Sequence, residues 1–161
     1  SNFGRGSVFT VQFPVSNNTP SMENKTESVA PVSPPAAQNE LPHILYVEDE
    51  VMNQQLISMF LRNVCKTDVA STGEEALQMA QSAKYEGFLM DINLGPGING
   101  IQVTQRLRNM TEYANTPIIA VTALALDGDK EPLLQQGCSH YLAKPFKKSD
   151  LVGMIKSIFA L

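Results

Sequence analysis

GFLMD, residues 87–91, is an apolar run that ends on a carboxylate. The same shape recurs in ILYVED at 44–49 and in HYLAKP at 140–145, while IIAVT at 118–122 ends on a hydroxyl. Between these runs the apolar spacing becomes that of helices: Met52, Leu56, Met59, Phe60 and Val64, then Ala76, Leu77, Ala80 and Ala83, and finally Leu151, Met154, Ile155 and Ile158. With TDVA at 67–70 as a further strand, five strand–helix units follow one another from His43 onward. Strands that are apolar on both sides and separated by helices pair in parallel, are covered on both faces and cross over right-handed. The expected fold is a doubly wound α/β domain. Its helix ends are predicted too. Thr72 and Glu75 have capping-box spacing, and Asp150 or Ser149 can cap the last helix. In the fourth helix, Asp129 as N-cap would leave Pro132 in the first turn, with Gly137 as the C′ residue. Met52, Met59, Met79, Met90 and Met154 fall on core stripes.

The 161 residues suffice for one hydrophobic core. A net charge of −4 with scattered Lys and Arg argues against a nucleic-acid footprint. Cys65 and Cys138 stand far apart without histidines at metal spacing, which points to reduced thiols in a cytosol rather than a zinc or disulfide framework. No apolar stretch approaches the roughly 20 residues of a membrane helix, so no membrane contact is expected of this piece and a cytoplasmic location is. Residues 16–41, rich in Pro, Ser and Asn, read as a flexible linker. Before them, residues 1–15 hold the alternation of a half-buried strand after a glycine turn.

In an open parallel α/β sheet, chemistry collects beyond the carboxyl ends of the strands. Glu48, Asp49 and Asp91 would meet there, since the first and third strands are neighbours at the switch point. Two such charges about 4 Å apart repel by about 4 kcal/mol at an effective dielectric near 20, so the group either raises its pKa values or binds a cation. Oxygen ligands alone select Mg²⁺. A carboxylate such as Asp91 can attack a phosphoryl group once a metal and a cation neutralise it; Lys144 is the candidate cation, and Thr122 can donate a hydrogen bond to a phosphoryl oxygen. His43 and His140, at strand starts, read as structural residues rather than phosphate donors.

These residues resemble the receiver domains of two-component signalling systems over 42–161. EDE after the first strand, MDINL around the phosphoacceptor, VTA after the fourth strand and YLAKPF after the fifth occur in family order. The resemblance implies a flavodoxin-like (βα)5 fold with strand order 2-1-3-4-5. It implies that Asp91 is phosphorylated, that Asp49, Asp91 and the carbonyl of Asn93 hold Mg²⁺, and that Glu48 acts through water. Thr122 and Lys144 would bind the phosphoryl group, Tyr141 would follow the movement of Thr122, and Lys144–Pro145 would be cis. A phosphoacceptor of this kind assists its own phosphorylation and dephosphorylation. Two features depart from the pattern: INLGPGIN at 92–99 is one residue longer than the usual loop, and the fourth helix is short. GRGSVFTVQFPV at 4–15 resembles the closing strand of histidine-kinase ATP-binding domains, which implies the C-terminal receiver of a hybrid histidine kinase. The partners implied are a histidine-kinase dimerisation and phosphotransfer domain and a downstream histidine phosphotransfer protein. Competing readings are a binding-only module, a flavodoxin-like small-molecule binder and a phosphatase with an aspartate nucleophile. VEDEVMN would repel a phosphate without a metal, and such phosphatases expect a second Asp where Asn93 stands.

Overall fold

The computed structural model describes residues 40–123 and 130–161. The predicted strand in 1–15, nearly all of the predicted linker and the predicted cap Asp129 lie outside them. The elements are β1 (His43–Val47), α1 (Val51–Leu61), β2 (Lys66–Ala70), α2 (Gly73–Ser82), β3 (Gly87–Asp91), α3 (Gly100–Arg108), a short 3₁₀ turn (Thr111–Tyr113), β4 (Ile118–Thr122), α4 (Lys130–Gln135), β5 (His140–Ala143) and α5 (Lys148–Phe159). All strand pairs are parallel, and the sheet order is β2-β1-β3-β4-β5, the predicted topology.

The alternation of side chains along each strand divides the core into two layers. Leu45, Val47, Phe88, Met90, Ile118 and Ala120 face α2 and α3, whose Ala76, Leu77, Ala80, Val103 and Leu107 close that side. Ile44, Tyr46, Leu89, Ile119, Val121 and Leu142 face α1 and α5 through Ile57, Leu61, Leu151 and Ile155. Both faces are covered, and for this reason the central strands read as unbroken apolar runs. On the α2–α3 side, Arg108 at the end of α3 ties the following segments by donating to the carbonyls of Gly137 (2.8 Å), Tyr113 (2.6 Å) and Thr116 (2.8 Å).

Several local expectations change. Of the stripe predicted for α1, Met52, Leu56 and Met59 are exposed, at 72%, 44% and 61%, while Ile57 and Leu61 are buried. VMNQQLISMFL carries apolar residues nearly all round the helix, so periodicity did not decide which face meets the sheet. Among the five methionines placed in the core, Met90 is buried, and Met79 and Met154 pack at its margin. The Thr72 hydroxyl accepts the N–H of Glu75 as predicted, but the reciprocal bond goes from Ser71 N–H to Glu75 Oε2 at 2.7 Å, one residue earlier. Neither Ser149 nor Asp150 is the N-cap of α5. Lys147 occupies that position, and Asp150 acts from inside the first turn by accepting the Lys147 N–H at 3.0 Å. Pro132 does lie in the first turn of α4. Gly137 takes φ +103, and the N–H groups of Gly137 and Cys138 return to the carbonyls of Leu134 and Leu133. That is a Schellman ending, with Leu133 and Cys138 both buried across it.

Candidate functional site

Parallel pairing brings the carboxyl ends of the strands to one edge. Glu48 and Asp49 follow β1, Asp91 and Thr122 end β3 and β4, and Lys144 follows β5. In the register Val47 lies opposite Met90, Asp91 opposite Val121, and Thr122 opposite Ala143. Lys144 N–H donates to the carbonyl of Thr122 at 2.7 Å, which fixes the root of the lysine beside the buried threonine.

The Lys144 ammonium bridges two buried carboxylates, donating to Asp91 Oδ2 at 2.6 Å and to Glu48 Oε2 at 2.9 Å. Asp91 Oδ1 accepts the Asn93 N–H at 2.8 Å. Asp49 is exposed, and its Oδ2 accepts the Gly95 N–H at 3.0 Å. One oxygen from each of Glu48, Asp49 and Asp91 lies within 4.8 Å of the others. The lengthened 92–99 loop is anchored at both ends of its turn, since Glu74 Oε1 accepts the Ile98 N–H at 3.1 Å. Tyr141 is half-buried against the α2–α3 layer, paired with Ala120 across the sheet, and the Lys144–Pro145 bond is cis. His43 and His140 sit at strand starts, and His43 Nε2 lies 2.9 Å from Asp68 Oδ2, away from this edge.

The charges are unequal in their circumstances. Burial lifts the Asp91 carboxyl above the ordinary range, with Glu48 adding to the rise, and Lys144 and the Asn93 N–H only partly hold it down. Glu48 is buried too, yet donors from Lys144, Asn53 and Tyr46 outweigh burial and hold it below the usual range. Lys144 is raised, because its two carboxylate partners outweigh its own burial. Lys144 pairs with Glu48 and Asp91 while Asp49 accepts a backbone N–H, so three carboxylates meet one cation and the edge has an unmet demand for positive charge. An all-oxygen donor set of this size suits a hard divalent cation such as Mg²⁺.

Sequence reasoning missed two residues that shape this arrangement. Tyr46 OH donates to Glu48 Oε2 at 2.9 Å, and Asn53 Nδ2 donates to Glu48 Oε1 at 3.1 Å. Tyr46 had a signal, since a residue two before Glu48 on a strand leaves it on the same side.

The fold and this edge define an α/β domain built to receive a charged group at its switch point. Residues 44–156 match the response regulator receiver domain family, and the chain belongs to it. It is thus a phosphoacceptor domain of two-component signalling. The polar-differentiation response regulator DivK of Brucella anthropi is 36% identical over 115 residues, covering 71% of this chain and 93% of that protein. Among solved structures, the receiver domain of sensor histidine kinase PA1611 from Pseudomonas aeruginosa PAO1, with a magnesium ion coordinated in its active-site cleft, is 36% identical. It covers 75% of this chain and 99% of its own with a TM-score of 0.68. Chemotaxis response regulator CheY4 of Vibrio cholerae is 26% identical with a TM-score of 0.69, covering 73% of this chain and 98% of its own. Among the described residues no helix is long and apolar enough to cross a membrane.

Proposed function

We propose that Asp91 accepts a phosphoryl group from a phosphohistidine. A carboxylate oxygen of Asp91 forms the new P–O bond as the P–N bond breaks, and the donor leaves as an imidazole. The observation that carries this reading is the Lys144 ammonium held between Asp91 and Glu48, with Asp49 completing a cluster of oxygens within 4.8 Å. Asp49, Asp91 and the Asn93 carbonyl would hold Mg²⁺ directly and Glu48 through water. Bound there, the ion supplies neutralisation of the phosphoryl oxygens. Lys144 turns from its carboxylates to a transferred oxygen, Thr122 donates its hydroxyl to another, and Tyr141 follows Thr122. Magnesium in the cleft of the Pseudomonas receiver supports the metal assignment.

The partner surface lies beside the site. Val51, Met52, Leu56 and Met59 are exposed on α1, next to a cavity of about 280 Å³ lined by Leu56, Ile57, Phe60, Lys144, Pro145 and Phe146. An apolar face that shares Lys144 with the phosphoryl site suits a helix that presents a phosphohistidine. We assign that helix to a histidine-kinase dimerisation and phosphotransfer domain, and a downstream histidine phosphotransfer protein would use the same face. The kinase receiver among the relatives supports a hybrid histidine kinase as parent. Residues 1–15 would then close its ATP-binding domain, with 16–41 as linker before a receiver at 42–161 on the cytoplasmic side.

Incubation with a labelled small phosphodonor tests the reading. Mg²⁺-dependent, acid-stable and base-labile label is expected on the native chain and absent from Asp91→Asn. Equal labelling of both overturns the assignment.

A further inference from the structure

We infer that Tyr46 is a positioning residue for phosphoryl transfer: its hydroxyl holds Glu48 so that Lys144 is free to leave it. The inference rests on the reading that Asp91 carries the phosphoryl group. Tyr46 is 1% exposed, in the layer formed with Ile44, Ile57, Leu61 and Leu142, where an aliphatic side chain would pack without any polar atom. Its hydroxyl donates to Glu48 Oε2 at 2.9 Å, and the Lys144 ammonium reaches that same oxygen at 2.9 Å. Oε1 is served separately by Asn53 at 3.1 Å. Lys144 is therefore shared between Glu48 and Asp91, whose Oδ2 lies 2.6 Å away.

A phosphoryl group on Asp91 needs that lysine on its own oxygens. Glu48, only 1% exposed, then loses the ammonium donor on Oε2, and a buried carboxylate oxygen left without a donor is costly. Tyr46 remains on Oε2 through the change. By sharing that oxygen it weakens the hold of Glu48 on Lys144 beforehand and satisfies Glu48 afterwards. Without the hydroxyl, Glu48 would keep the lysine, and the phosphorylated geometry would be harder to reach.

Tyr46→Phe removes one oxygen and retains the ring. Beryllofluoride affinity at saturating Mg²⁺, read by fluorine NMR, is expected to fall about tenfold, the size of one hydrogen bond to a charged group. Mg²⁺ affinity alone, read by calorimetry, stays the same or tightens, because Glu48 keeps its charge and has lost a competing donor. In a Glu48→Gln background the same change should cost less than about twofold, since the two residues act as one unit. Unchanged beryllofluoride affinity, parallel losses for metal and beryllofluoride, or an undiminished loss in the Glu48→Gln background each overturn the role of Tyr46. Failure of the unsubstituted chain to bind beryllofluoride with Mg²⁺ overturns instead the Asp91 reading beneath it.

Discussion

Asp91 carries a cost that its neighbours do not. Burial and the nearby Glu48 raise its pKa, so the ionised carboxylate is held less comfortably in the folded domain than in the unfolded chain. A carboxyl with a raised folded pKa contributes stability that is complete below its unfolded value, about 3.9, and is lost as pH rises through the folded value. In chelator, Asp91→Asn should therefore melt higher than the native chain at pH 7, and the gap should close toward pH 3.5. Melting curves at the two pH values check this; a native chain that is the more stable at pH 7 without metal contradicts it. At this scale the sequence was informative about identity and silent about arrangement. Glu48, Asp49, Asp91, Thr122 and Lys144 were readable as residues that end strands. That Lys144 would bridge Asp91 and Glu48, and that Tyr46 and Asn53 would hold Glu48, depends on side-chain reach across three elements, which no one-dimensional pattern encodes.

Among elements, α1 was the least legible and the most consequential. Its apolar residues cover both the core face and the exposed face, and two opposed stripes cannot be ranked by period alone. The sheet makes the choice by burying Ile57 and Leu61, and Met52 and Met59 are left outside at 72% and 61%. Changing both to Gln should leave stability within about 0.5 kcal/mol, as for other surface positions away from special features. Phosphotransfer from a phosphohistidine protein should slow several-fold while labelling by a small phosphodonor is unchanged. Equal slowing with both donors would remove the face from partner docking. The start of α3 is constrained in the opposite sense. A Cβ on Gly100 would stand 2.0 Å from the Asp91 carbonyl oxygen, and that neighbour is backbone, unable to swing away. Gly100→Ala is expected to lower stability by about 1–3 kcal/mol, as overpacking does, and to weaken Mg²⁺ binding by shifting the loop that carries Asn93. The capping box at Asn99 and Gln102 fixes the same helix start and was present in the sequence as N-x-x-Q.

For the described domain as a whole, five parallel strands make the site's existence follow from its topology. One edge collects every strand end, and the order β2-β1-β3-β4-β5 sets Asp49 and Asp91 on adjacent strands while Lys144 arrives from the far side of β4. Alternating apolar runs and helical stripes were enough to derive a doubly wound parallel sheet, while its strand order came with the resemblance to receiver domains. They said nothing of how the acidic edge trades stability for binding. The folded domain concentrates three carboxylates around one lysine, a charge arrangement that the unfolded chain does not share, so a divalent cation should bind the folded form selectively. At 100 times its dissociation constant such a ligand adds about 2.7 kcal/mol, or roughly 10 °C in a domain of this size. Asp91→Asn removes one of the proposed direct ligands and should gain much less. The order of stability should then reverse with metal: the variant melts higher in chelator, and the native chain melts higher in saturating Mg²⁺. Differential scanning calorimetry across a Mg²⁺ series would show the two melting temperatures crossing. Parallel curves, with no crossing, would mean that Asp91 does not hold the ion.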